Sequence, residues 1–205
     1  MPRIARGPVR RLTLFLAAIL VVTPSLLLAQ DTTTLSPDDK RRIDDVRIAL
    51  SRLPYYGVFD FLSFTYARGT VTLKGFAYRG SLRDDAEAAV RRVRGIDTIV
   101  NEVEIAPVSF NDDRIRQAAF YLIYTDEFLS RYAPGGARRA YIDALEFGRF
   151  PGIQPLGYYP IHIVVKNGRI TLMGMVDNEQ DKQMAGIRAR EVQGVFGVEN
   201  ELVVQ

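Results

Sequence analysis

The chain has 205 residues, enough for one or two domains, and its 47% hydrophobic and 25% charged content is that of a globular protein. It holds no Cys, no Trp and a single His, His162. These gaps exclude disulfides, thiolate nucleophiles, Cys-ligated zinc, His-rich metal sites and any Ser-His-Asp triad without His162. The net charge of +3 misleads, because residues 1–29 hold four Arg and no acid; the other 176 residues carry 23 basic against 24 acidic groups, a net charge of −1. That body lacks the concentrated positive surface that neutralises phosphates, so no nucleic-acid partner is expected.

Residues 1–29 read as a secretory signal peptide: an Arg-rich start, the apolar run Leu12–Val22, Pro24, and the small Ala29 before a cut. The rival reading is an uncleaved membrane anchor over Leu12–Ala29, interrupted by Pro24. Under either reading the body is exported. Residues 30–37 form a polar lead-in.

A repeat follows. Shifted by 99 residues, Gly69–Ile105 lies over Gly168–Val204 without a gap, with ten of 37 positions identical. These include Gly75/Gly174, Gly95/Gly194 and Asn101/Asn200. Each copy reads as helix, strand, strand, helix, strand.

In copy one, Ser36-Pro37-Asp38-Asp39 opens a helix whose buried stripe is Ile43, Val46, Leu50 and Leu53. Pro54 ends it. Leu62, Phe64 and Tyr66 alternate with polar residues as a strand, Arg68-Gly69 turns the chain, and Val71 and Leu73 return. Ser81 and Asp84 suggest a second capped helix, which Gly95 terminates before a last strand through Ile99, Val103 and Ile105.

Copy two has Ile161, Ile163 and Val165 leading to Asn167-Gly168, a strong hairpin signal. Asn178 caps a helix ending at Gly194, and Val198, Leu202 and Val204 form the last strand. The hairpin is antiparallel and the strand–helix–strand crossover parallel. The expected fold is therefore α+β, with two tandem small αββαβ domains, each a three-stranded mixed sheet packed on helices. Taking Ile43 opposite Ile115, copy two carries about 27 extra residues by the spacing of the repeat. They fall near 133–158, with a short helix over Arg138–Phe147. The expected boundaries are 38–107 and 108–205.

The repeated unit resembles the BON domain, named for bacterial osmotically inducible and nodulation proteins. The resemblance rests on Gly69-Thr70-Val71-Thr72-Leu73-Lys74-Gly75, Gly95-Ile96 and Val100-Asn101-Glu102-Val103. Copy two matches through Gly168-Arg169-Ile170-Thr171-Leu172-Met173-Gly174, Gly194-Val195 and Val198-Glu199-Asn200-Glu201-Leu202. The resemblance implies an exported, non-enzymatic periplasmic protein without cofactor. Its implied partner is phospholipid or the inner leaflet of the outer membrane, in support of envelope integrity or osmotic-stress tolerance. The alternative it implies is a periplasmic chaperone or interaction module for envelope proteins. The insertion departs from the family pattern.

No catalytic residue and no metal ligand set stands out. Asn101 and Asn200 share strand parity with apolar neighbours and are expected to be buried and bonded to main chain. His162 points away from Ile161 and Ile163 and is expected to face solvent or pack at an edge. The stretch Asp112–Tyr132 is the most informative. On a helical wheel Ile115, Ala118, Ala119, Leu122 and Leu129 form a core stripe, while Phe120, Tyr121, Tyr124, Phe128 and Tyr132 share another face beside Arg131. Either the insertion or the other domain covers this aromatic face, or lipid or a client protein does. In the second case these six residues are the binding surface, with Arg131 meeting a phosphate.

Overall fold

A computed structural model describes residues 35–149 and 154–205. The leader assignment lies outside the described residues. Helix α1 (Pro37–Ser51) is opened by Ser36, whose hydroxyl accepts from the Asp39 N–H at 3.1 Å, with Pro37 in the first turn. Strands β1 (Phe61–Ala67) and β2 (Thr70–Ala77) form the hairpin, α2 (Gly80–Arg91) crosses over, and β3 (Thr98–Ile105) pairs parallel with β2. Helix α2 begins one residue before Ser81, after Arg79 and with no side-chain cap, so Ser81 does not play the expected capping part.

In copy two, α3 (Phe110–Tyr124) is followed by a 3₁₀ turn at Leu129–Tyr132, then α4 (Gly136–Arg149), β4 (Ile161–Lys166), β5 (Arg169–Val176) and α5 (Glu179–Arg190). The final strand is broken into β6 (Gly197–Asn200) and β7 (Val203–Val204), both parallel to β5. The hairpin turn has Asn167 at φ 52° and Gly168 at φ 74°, the left-handed pair that a tight two-residue turn requires. The α+β architecture of two tandem units is the one expected. Among the described residues no helix is long and apolar enough to cross a membrane.

Copy one packs Val46, Leu50, Val71, Leu73, Leu82, Ala86, Val90 and Val103 into its own core. Copy two does not close alone. Its core includes Val58 and Phe59, which belong to the connection between α1 and β1 of copy one. This connection lies along the outer edge of β4, where the Ile163 N–H donates to the Val58 carbonyl at 2.8 Å. An exposed sheet edge is thereby covered.

The junction is also reciprocal. Gly57 and Leu156 form an isolated antiparallel bridge, the Val58 N–H donates to the Pro155 carbonyl (3.2 Å), and the Gly157 N–H donates to the Tyr56 carbonyl (3.5 Å). Under the 99-residue repeat, 57 corresponds to 156, 58 to 157 and 56 to 155. Each segment thus pairs with its own counterpart. Two further contacts tie the copies: Lys166 to Glu104 at 2.5 Å, and Tyr78 stacked under the Arg116 guanidinium, 4.9 Å from its ring centre. Arg116 is buried and satisfied by Asp113 (2.6 Å) and the Val165 carbonyl (2.6 Å).

Candidate functional site

The helix expected over Asp112–Tyr132 stops at Tyr124. Thr125 caps it, its hydroxyl donating to the Tyr121 carbonyl at 2.6 Å. The Asp126 carboxylate then accepts from the Phe128 (2.9 Å) and Leu129 (3.0 Å) N–H groups, which turns the chain. Wheel positions beyond Tyr124 therefore no longer describe one helix, and the six expected contact residues do not form one exposed surface.

Phe120 and Tyr124 are fully buried. Phe120 packs against Phe59 and Tyr159, at ring separations of 6.4 and 5.8 Å, and Tyr124 against Tyr159 at 5.1 Å. The Tyr124 hydroxyl donates to the Ile161 carbonyl (2.5 Å) and accepts from the Ile161 N–H (3.3 Å). The surplus aromatic face is thus covered by copy one, through Phe59, and by Tyr159, which lies between the insertion and β4. Tyr132 is also buried, its hydroxyl donating to Asp181 at 2.6 Å and accepting from the Asp177 N–H at 2.9 Å. Arg131 is half exposed but engaged by the carboxylates of Asp177 and Asp181 and by the Tyr132 ring. It is not the free cation that the phosphate-binding expectation required. Of the five aromatic residues only Tyr121 and Phe128 remain accessible.

Tyr121 does not stand alone. Its ring lies 6.2 Å from that of Tyr141 on α4. Helix α4 buries Ala140, Asp143, Ala144 and Phe147, and presents Tyr141, Ile142 and Leu145 outward, half of each Tyr141 and Leu145 remaining exposed. The Gln117 side chain donates to the Ala144 carbonyl at 3.2 Å and fixes α4 on α3. The result is an apolar outer face across two packed helices. Tyr141, Ile142 and Leu145 were missed at the sequence level. Their signal was present as a second apolar stripe on the Arg138–Phe147 helix, beside the Ala140/Ala144/Phe147 stripe that meets the core.

Of the two settings expected for His162, solvent-facing or packed at an edge, the structure shows the packed one, on the edge strand β4. It does point away from Ile161 and Ile163, but copy one covers that side of β4, and His162 is only 8% exposed. Its ring lies 5.4 Å from Tyr56 and 5.6 Å from Phe61, with Nε2 3.5 Å from the Tyr56 hydroxyl. Nδ1 is buried and has no hydrogen-bond partner among the described residues. Burial pushes the imidazole down to about 4, against the main-chain carbonyls of Asp60 and Gly57. The neighbouring Asp60 is fully buried. It accepts from the N–H groups of Gly57 (2.9 Å) and Tyr78 (2.7 Å) and from the Gln154 amide (2.6 Å). Burial still pushes its carboxyl above the usual range, the three donors opposing.

Asn101 and Asn200 make equivalent bonds, as expected: Asn101 donates to the Arg83 carbonyl (3.0 Å) and Asn200 to the Lys182 carbonyl (2.7 Å). Each also accepts from the N–H two residues on, Val103 (3.2 Å) or Leu202 (3.4 Å). Both are half-buried rather than buried.

No curated protein matches the chain. Among solved structures, the C-terminal domain of CdsD, a structural protein of the type III secretion system of Chlamydia trachomatis, matches at 14% identity. That match covers 80% of this chain and 96% of that one, with a TM-score of 0.25. A second CdsD structure matches at 12% identity, over 80% and 91%, also with a TM-score of 0.25. The model of the BON domain family matches residues 56–107 and 152–205, together just over half of the chain. These two matches fall on the two sheets, their hairpins and their crossover helices, and the chain belongs to the BON domain family, whose domain it carries twice.

Proposed function

We propose that this is a non-enzymatic envelope protein of the periplasm that binds phospholipid at a membrane surface and thereby supports envelope integrity or osmotic-stress tolerance. The supporting observation is the apolar outer face of α3 and α4, where Tyr121, Tyr141, Ile142 and Leu145 lie side by side and, among the described residues, stay 39–50% exposed. Tyrosines flanked by aliphatic side chains suit the boundary between headgroups and acyl chains. Phe128 is an outlying contact; Phe120, Tyr124 and Tyr132 support the face from beneath rather than touching lipid.

With the body near neutral charge, binding depends on apolar insertion and survives ionic strength that screens surface charge. Liposome co-sedimentation tests this. Tyr141→Ser/Leu145→Ser, confirmed as folded by circular dichroism, is expected to bind about tenfold more weakly or worse, given the apolar area removed. A folded variant that binds like the parent overturns the proposal. Suppression of client aggregation without liposome binding replaces it with the chaperone reading.

A further inference from the structure

We propose that the cleft between α1, β1 and the inserted segment is a binding site for a single-chain amphiphile with an anionic head group. The cleft has a volume of about 450 Å³ and is lined by Arg47, Ser51, Leu62, Phe64, Tyr158 and His162, among others. Its size is that of a small-ligand site, and its walls are mainly apolar and aromatic.

The nature of the occupant is read from the other copy. The capping serines, Ser36 of α1 and Ser109 of α3, set the two first helices in register. This pairs the buried Val46 with Ala119 and Leu50 with Ile123. It also shifts by one residue the register taken from Ile43 and Ile115. In this alignment Arg47 stands where copy two has Phe120, and Ser51 where it has Tyr124. By the 99-residue repeat, Leu62 and Phe64 correspond to Ile161 and Ile163, and Tyr158 corresponds to Phe59.

In copy two this slot is full. Phe59 enters against Phe120 and is 2% exposed. In copy one its counterpart Tyr158 stays outside, 77% exposed, and the helix offers a serine and an arginine in place of two aromatic rings. The same slot is therefore plugged by the chain's own phenyl ring in one copy and open in the other. An apolar body fits the open slot for the reason that Phe59 fits the closed one.

The head group follows from charge. Among the described lining residues Arg47 is the one that is permanently ionised, and none is a carboxylate. Arg47 is paired with Asp44 at 2.6 Å, but both side chains are more than half exposed, and such a pair holds its partner weakly. The guanidinium keeps donors for a phosphate or carboxylate at the mouth.

The test uses dodecyl phosphate below its micelle concentration, followed by native mass spectrometry and calorimetry on the exported chain. One molecule is expected to bind per chain. Ser51→Trp, which fills the slot as Tyr124 does in copy two, is expected to abolish binding. Arg47→Gln is expected to weaken dodecyl phosphate about tenfold, the worth of a charge-assisted hydrogen bond, and to leave dodecyl maltoside unaffected. The absence of one-to-one binding by the parent, undiminished binding by folded Ser51→Trp, or equal behaviour of the two head groups in Arg47→Gln overturns the proposal. Tyr141→Ser/Leu145→Ser retains the amphiphile, so this site and the membrane-facing surface fail independently.

Discussion

His162 gives the junction a defined response to acid. The buried imidazole is neutral in the fold, its pKa pushed down to about 4 from an ordinary 6.5. As pH falls below 6.5, the unfolded chain gains a proton that the folded chain refuses. Stability therefore declines between pH 6.5 and about 4, by an amount on the order of 3 kcal/mol. Asp60 works against this, because a carboxyl raised above 3.8 binds its proton sooner in the fold than in the unfolded chain. Urea midpoints at about pH 7 and about pH 4.5 separate the two: His162→Gln is expected to lose less stability across this range than the parent. Equal losses would show that His162 is not the group responsible. The asparagines are a simpler matter. Asn101→Ala and Asn200→Ala each strand a strand N–H and a helix carbonyl, at a cost of about 1–3 kcal/mol, less where water reaches the half-buried groups. Unchanged midpoints in both variants would sink the claim.

Among the elements, the connection between α1 and β1 has the largest consequence for its size. Phe59 is in copy one by sequence and in the core of copy two by contact. Phe59→Ala is expected to cost about 3–5 kcal/mol, as for other buried aromatic truncations. The loss of hydrogen-exchange protection should fall on α3 and β4 rather than on α1 and α2; protection lost evenly over copy one would contradict this assignment. Little of this was legible in the sequence, which carries the hairpins, crossovers and caps but not the destination of a loop. What was legible was local. Gly75 and Gly174 stand out as a repeated pair, and the structure gives the reason: a Cβ there would lie 1.9 Å from the Phe61 carbonyl oxygen or 2.0 Å from that of Pro160. The wheel over Asp112–Tyr132 failed for the opposite reason, because the turn made by Asp126 depends on a side chain that periodicity does not register.

At the scale of the whole molecule, the periodicity identified an aromatic surplus on α3 but not what covers it. The cover comes from 61 residues upstream of Phe120, through Phe59, from the insertion, through Phe147, and from Tyr159 just before β4. The accessible apolar surface is therefore displaced one helix outward, to α4. The reciprocal pairing of Gly57 with Leu156 has an implication of its own. Contacts in which a segment meets its own counterpart are those of a two-fold homodimer. In a true homodimer every slot occurs twice and is identical in both places, so that a ring filling one must fill the other. Covalent fusion removes that obligation: one copy of the segment could become an internal plug while the other became the lip of an open chamber, a division of labour that symmetry would have forbidden.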